Sequence, residues 1–328
     1  MEKMLQKRIP IVFSSDNNYA KYLSIAISSV CKYNSNNLLF IYILHTNISK
    51  ENRMKLEMLK NDKVSIEFIN VEGELDEKKL FVDGRITKES YYRILTPKLL
   101  PQWEKVLYLD VDIICMRDIA EWYDIDIGEN WVGGVVCTGN ENRAEYVKEH
   151  LGIDEKNYIH AGGIVINNKE LRKMDWLKMC EQALEEKGYF KWHDQDLINM
   201  LCYKHIYFYD PKWNMTVGRM RKEQGGLNVK ELTKEMVDCY VIHYASLKPW
   251  RAEMSEIMTY WWKYVNDSPF VTELMEDYCT ISDGPRYFLD LCGQGKVSLA
   301  CIIKCLLSAL RERIMSISKV VGENRHGS

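Results

Sequence analysis

Short apolar runs and stretches of helical periodicity take turns along the first third of this 328-residue chain, and that alternation most restricts what it can fold into. Residues 9–13 read as a buried strand. Residues 19–33 follow, with Tyr19, Leu23, Ala26, Ile27 and Val30 at the spacing of a helix that buries one face. A second strand covers 38–44. Ser49 stands where it can cap a helix over 50–59, in which Met54, Met58 and Leu59 keep helical spacing, and 64–71 alternates as a third strand. A helix over 88–95 is expected to stop before Pro97. The fourth strand begins at Val106. This order predicts an α/β fold with a Rossmann-like, mostly parallel sheet, helices on both faces, and a ligand site beyond the carboxyl ends of the strands.

The fourth strand, Val106-Leu107-Tyr108-Leu109-Asp110-Val111-Asp112, ends in two aspartates separated by one residue. Residues i and i+2 of a strand point the same way, so both carboxylates leave one face together and repel each other. A divalent cation turns that repulsion into a site for another anion, a diphosphate above all. The plain alternative is two solvated aspartates in a turn. No glycine precedes Gly73, so the first strand-to-helix turn, Ser14-Ser15-Asp16-Asn17-Asn18, is not a Gly-x-Gly-x-x-Gly dinucleotide turn, and no Gly-x-x-x-x-Gly-Lys-Ser/Thr loop occurs. A nucleotide on this sheet therefore needs a metal and side chains for its phosphates.

The net charge of -3 gives no global basic field and argues against nucleic acid as the main partner. The ten cysteines include no Cys-x-x-Cys pair, which leaves no signal for a zinc ribbon or a dithiol redox site. Residues 1–10 lack the apolar core of a secretory signal, and a reducing cytoplasm is the expected setting.

Three later segments add polar groups to the same sheet. Tyr158-Ile159-His160-Ala161-Gly162-Gly163 brings paired glycines into a strand, as a bulge or as a place where a ligand or another chain passes close. His193-Asp194-Gln195-Asp196 opens a helix, where the acids cap it or face a cleft. Val241-Ile242-His243 ends a strand, with Lys248-Pro249-Trp250 soon after. Taken singly, His243 reads equally as a hydrogen-bonded structural histidine.

Together, and in this order, these segments and the opening Val12-Phe13-Ser14-Ser15-Asp16-Asn17-Asn18-Tyr19 resemble the retaining glycosyltransferases of family 8. The resemblance covers about 9–250. It implies a GT-A fold, a nucleotide-diphosphate sugar as donor, and transfer with retained anomeric configuration. It makes Asp110, Asp112 and His243 the metal ligands, for Mn²⁺ or alternatively Mg²⁺, and Lys248 a second cation for the diphosphate of UDP-glucose or UDP-galactose. It also places Ser14, Asp16 and Asn18 around base and ribose, Tyr19 on the uracil ring, and Arg93 and Val111 with the donor. Tyr19 reads otherwise as core packing. Asp194 and Gln195 match positions that contact the donor sugar. An amide is a poor nucleophile, which favours a front-face attack with the Gln195 dipole steadying positive charge on the sugar and Asp194 anchoring its hydroxyls.

The chain departs from the family pattern at His160, where many relatives carry asparagine, and at Cys137, where some carry an acid. The loop from His243 to Lys248 is one residue shorter than usual. Two other classes share parts of the pattern. An aspartyl phosphatase also uses Asp-x-Asp, but Ile113 and Ile114 follow here and three strands precede. A non-catalytic nucleotide-sugar or glycan-binding protein would carry the same binding residues.

The transferase domain is expected over 1–270, with a helical extension over 271–328. Within it, 297–310 is apolar apart from Lys304 and two serines, with Arg311 and Arg313 following. That is too short to span a bilayer, which needs roughly 20 apolar residues. Residues 297–313 read either as an interfacial helix, suited to a glycolipid acceptor at the inner face of the membrane, or as a helix docked on the domain.

Overall fold

The computed structural model describes residues 6–82, 87–138, 143–226, 238–245, 247–251 and 255–280. Ten strands are described: β1 Arg8–Ser14, β2 Leu38–His45, β3 Val64–Asn70, β4 Val106–Leu109, β5 Ile113–Cys115, β6 Val132–Val136, β7 Ile159–Ile166, β8 Ile206–Tyr209, β9 Met215–Thr216 and β10 Val241–His243. Seven form the main sheet in the order β3-β2-β1-β4-β7-β6-β8, and β5-β10-β9 form a small second sheet. The described α-helices of eight residues or more are α1 Ala20–Tyr33, α2 Lys50–Glu57, α3 Trp176–Lys187, α4 His193–Cys202 and α5 Val271–Thr280.

Strand alternation divides the core between the two faces of the sheet. Ile9, Ile11 and Phe13 of β1 pack with α1, whereas Val12 belongs to a second cluster with Trp176 of α3 and Leu197 of α4. Both clusters are closed to water, which is the expected doubly covered sheet. The β1–β2, β2–β3, β1–β4 and β6–β8 pairs are parallel; β7 runs antiparallel to both β4 and β6. Ile11 and Val12 register with Leu107 and Tyr108, so the central strands β1 and β4 end side by side.

Three local expectations are corrected. The 88–95 segment is a 3₁₀ helix, Lys88–Leu95, and Pro97 lies inside the α-helical turn Thr96–Leu99 that continues it. Proline fits there because first-turn N–H groups have no partner within the helix. Ser49 does cap α2, accepting from the Asn52 N–H at 3.2 Å, but Met54 and Met58 face solvent and Leu56 is the buried residue of the helix. Spacing alone did not reveal which face of so short a helix turns inward. The small sheet was not anticipated, because its strands are two or three residues long.

Among the described residues no helix is long and apolar enough to cross a membrane. Residues 297–313, and all of the expected extension beyond 280, lie outside the described residues.

Replacing Ile11 by Ala deletes a fully buried side chain from the strand held on both edges. The expected loss is about 2–5 kcal/mol of unfolding free energy with an unchanged denaturant slope, read by urea titration.

Candidate active site

Strand register builds the site from residues far apart in sequence. Leu109 of β4 pairs with Gly163 of β7, and the Asp110 N–H donates to the Gly162 carbonyl at 2.8 Å. A Cβ at Gly162 would collide with Asp110 Oδ2 and with His243 Cε1, so this backbone must be glycine for the acid and the imidazole to meet. On the other side, Ile113 of β5 pairs antiparallel with His243 of β10, and the Tyr244 N–H donates to the Asp112 carbonyl at 2.9 Å. His243 is thereby fixed beside Asp112 by ladder geometry.

One ligand atom each from Asp110, Asp112 and His243 lie within 4.8 Å of one another. His243 Nε2 stands 3.3 Å from Asp112 Oδ1 and 3.8 Å from Asp110 Oδ2, is buried, and has no hydrogen-bond partner among the described residues. Its Nδ1 meets Asn214 Oδ1 at 2.9 Å. An amide oxygen only accepts, so Nδ1 carries the proton and the Nε2 lone pair faces the carboxylates. An orphaned imidazole lone pair beside two carboxylates fits a divalent cation. Burial alone would raise the Asp112 pKa, but the Lys248 ammonium holds it well below the usual carboxylate range. Lys248 Nζ pairs with Asp112 Oδ2 and also donates to the Ala245 carbonyl. Burial works against its charge, yet Asp112 keeps its pKa above the ordinary lysine value.

These groups line one wall of a cleft of about 650 Å³, together with Ser14, Asp16, Tyr19, Arg93, Val111, Asp194 and Gln195. Asp16 Oδ1 accepts from the Tyr19 N–H at 2.7 Å and shapes the turn into α1. Tyr19 is half-buried and meets Tyr22 and Trp250 edge-on, at 5.4 and 6.1 Å between ring centres. Asn18 differs from the other candidates: it is exposed and does not line the cleft.

Arg93, 3% exposed, ties three of these elements together. Its Nη2 is 3.0 Å from Asp110 Oδ1, its Nε is 2.9 Å from Asp194 Oδ2, and its Nη1 donates to the Ala161 carbonyl. Burial pushes the Asp194 carboxyl up, Arg93 pulls it down, and burial prevails to leave it at about 6. Gln195 accepts from the Ala161 N–H at 3.1 Å and donates to the Tyr158 hydroxyl at 3.0 Å, so its amide is fixed in orientation. Asp196 is the structural acid of the run. It takes the hydroxyls of Tyr158 at 2.5 Å and Tyr146 at 2.9 Å, and the Trp192 N–H at 2.8 Å.

At the other end, the cleft is lined by Cys137, Thr138, Arg143 and Trp192. Arg143 donates to Cys137 Sγ and to its carbonyl, and pairs with Glu155 at 2.8 Å. His160 accepts from the Gly162 N–H at 3.1 Å, and its ring stands edge-on to His243 at 4.6 Å. Burial, followed by the neighbouring His243, drives the His160 pKa well below the usual imidazole value. Sequence reasoning missed Asn214 and Arg143. Asn214 carries no motif; only the register of β9 with β10 shows that it orients His243.

Asn214→Ala should leave the fold intact and weaken the binding of a divalent cation at this cluster by roughly 10–100-fold, the range found when the partner that orients a metal-ligating histidine is lost. Calorimetric titration with Mn²⁺ alone checks it; unchanged affinity would remove the ion from this site.

The profile of glycosyl transferase family 8 matches residues 10–254. General stress protein A of Bacillus subtilis is 27% identical over 254 residues, 74% of this chain and 87% of that protein. The lipopolysaccharide glucosyltransferase WaaO of Escherichia coli is 26% identical over 252 residues, 74% of this chain and 72% of WaaO. Among solved structures, the galactosyltransferase LgtC in complex with donor and acceptor sugar analogs superimposes with a TM-score of 0.66 at 25% identity, covering 77% of this chain and 95% of LgtC. The mixed sheet and its helices are thus the GT-A arrangement, and the chain belongs to glycosyl transferase family 8.

Proposed function

We propose that this protein is a metal-dependent, retaining hexosyltransferase that moves glucose or galactose from a UDP-sugar to a saccharide or glycolipid acceptor. The observation that carries the reading is the Asp110, Asp112 and His243 cluster, with an orphaned imidazole nitrogen inside it and the Lys248 ammonium against it. Two carboxylates and one imidazole nitrogen suit Mn²⁺ better than Ca²⁺, which prefers oxygen ligands alone, with Mg²⁺ as the alternative. The hexose and the glycolipid rest on what the relatives are named for, a lipopolysaccharide glucosyltransferase and a galactosyltransferase. The same proposal gives the transferase domain 1–270, 271–328 an extension, and the protein a cytoplasmic setting.

A divalent cation held by the three ligands would act as a Lewis acid on the departing diphosphate. Lys248 supplies a second, permanent positive charge from the same wall. The turn at 14–19 forms the far end of the cleft, where Ser14 and Asp16 suit ribose and base and the Tyr19 ring suits the uracil face. Arg93 holds Asp110 and Asp194 in fixed relation, so diphosphate and sugar are gripped by groups that cannot drift apart. Asp194 accepts from sugar hydroxyls. The Gln195 amide, pinned by Ala161 and Tyr158, turns a fixed dipole toward the anomeric carbon. The bond from that carbon to the phosphate oxygen breaks, the acceptor oxygen bonds on the same face, and its proton passes to the departing phosphate oxygen.

With Mn²⁺ and a panel of nucleotide sugars, the wild type should release UDP from UDP-glucose or UDP-galactose. Asp110→Asn and Asp112→Asn should each lower that rate by roughly 10²-fold or more. Absence of turnover with tight nucleotide-sugar binding would identify a non-catalytic binding protein instead.

The acid limb of the rate should follow Asp194. Its carboxylate is the form that accepts from sugar hydroxyls, so kcat/KM should fall as pH drops through about 6. Stability runs the opposite way. The fold retains a proton here that the unfolded chain has already released, so this group contributes less to stability as pH rises from the ordinary carboxylate range through about 6. Asp194→Asn should be slow at every pH and lose that limb.

A further inference from the structure

Helix α5 lies beyond the stretch matched to the family, which ends at 254, yet it reaches the supports behind two turns that line the cleft. One is 14–19, between β1 and α1; the other is 247–251, which carries Lys248 and Trp250. Turns at strand ends have few ladder hydrogen bonds to hold them, so their separation depends on what packs behind them.

Behind the second turn stands Tyr22. Its ring stacks on Trp250 at 3.8 Å between centres and 10° between planes, and its hydroxyl donates to Asp277 Oδ2 of α5 at 2.8 Å. Lys21 Nζ pairs with the same carboxylate at 2.7 Å. Behind the first turn stands α2. Asn52 Nδ2 donates to Asn17 Oδ1 at 2.9 Å, and Asn17 Oδ1 also accepts from the Ser49 N–H at 2.9 Å. One turn further along α2, Lys55 Nζ reaches Glu273 of α5 at 2.6 Å and lies over the Phe270 ring at 5.3 Å. Ser24 and Ser268, whose hydroxyls are 2.6 Å apart, lock the chain entering α5 to α1. Two acids on one helix thus hold the supports of both turns, while neither acid lines the cleft.

We propose that α5 is a brace for the nucleotide end, with Glu273 and Asp277 as positioning residues that set the spacing of the 14–19 and 247–251 turns and so the affinity for a nucleoside diphosphate. The proposal rests on the donor reading given above. A binding-competent spacing that α5 maintains lowers the ordering that the ligand must otherwise impose. The expected signature is a loss in nucleotide affinity, without a matching loss in the chemical step where the 14–19 turn alone is loosened and Lys248 stays in place.

The test compares wild type with Asp277→Ala, Lys55→Glu, and the reversed pair Lys55→Glu with Glu273→Lys. Calorimetry with Mn²⁺ and UDP reads affinity, steady-state kinetics separate donor KM from kcat, and hydrogen exchange of the ligand-free protein reads the two turns. Asp277→Ala and Lys55→Glu should each raise the UDP Kd and donor KM by about tenfold, about 1.4 kcal/mol; in Lys55→Glu, which leaves the Lys248 turn in place, kcat and acceptor KM should stay within about twofold. Exchange should quicken at 15–19 in Lys55→Glu and at 247–251 in Asp277→Ala. The reversed pair should restore most of the affinity that Lys55→Glu loses, which a merely destabilising change would not do. Wild-type Kd and wild-type exchange in both single variants overturn the brace. If the wild type binds no uridine nucleotide, the donor reading falls, and exchange alone decides the brace: quickened at the two turns it stands, unchanged it fails. Should Asp277→Ala not fold, Lys55→Glu and its reversed pair carry the same decision.

Discussion

The buried guanidinium of Arg93 is the constraint on which the rest of the site depends. A charge this enclosed is tolerable only when every direction it faces is compensated: Asp110 and the carbonyls of Ala161 and Ser90 accept its hydrogen bonds, and the Asp194 carboxylate pairs with it at 2.9 Å. Apart from Ser90, which is local, these partners come from the end of β4, the start of α4 and β7. One side chain therefore sets the relative position of Asp110 and Asp194 in the cleft. The arrangement is also fragile in one direction, because loss of a single partner strands a buried charge, whereas loss of a surface pair such as Lys60 with Glu57 strands nothing.

Much of this was legible from the chain alone. The boundaries of β1, β2 and α1 agree with hydrophobic spacing to within a residue or two, since each element buries a whole face against the sheet. Asp110 and Asp112 were visible because their motif is local. What was not legible is carried by pairing between distant segments. Nothing near His243 in sequence shows that β5 and β10 pair with Ile113 opposite it, and nothing near Asn214 shows that it sets the imidazole tautomer. The run at 194–196 reads as two equivalent acids, yet Asp196 is consumed by two tyrosine hydroxyls and an N–H while Asp194 faces the cleft. Residue type alone does not separate two like acids; the family resemblance pointed to Asp194, and the contacts of Asp196 agree with that choice.

The glycines show the same division from the opposite side. Gly162 and Gly163 were expected to mark a bulge or a close approach, and the approach is by the protein's own catalytic-site side chains: Asp110 and His243 against Gly162, and the Asn214 amide 2.7 Å from where a Gly163 Cβ would stand. The strand thus trades side chains for proximity. It lets an acid, an imidazole and the amide that orients the imidazole crowd one backbone, and no L residue with a Cβ could occupy either position without displacing one of them.

The cleft is assembled from two kinds of support, and they differ in stiffness. Asp110, Asp112, His243 and Asp194 are set by ladder register and by a buried ion pair, both of which resist displacement by a fraction of an ångström. The 14–19 and 247–251 turns are instead backed by α1 and α2, and these helices are joined to one another through partly exposed carboxylates of α5. Compliance is therefore concentrated in the two turns, and rigidity in the strands that carry the acids and the imidazole. Lys248 joins the two regimes, since it sits on a turn and pairs with Asp112 at a strand end, and the helix that links the supports of both turns lies outside the segment shared with the family.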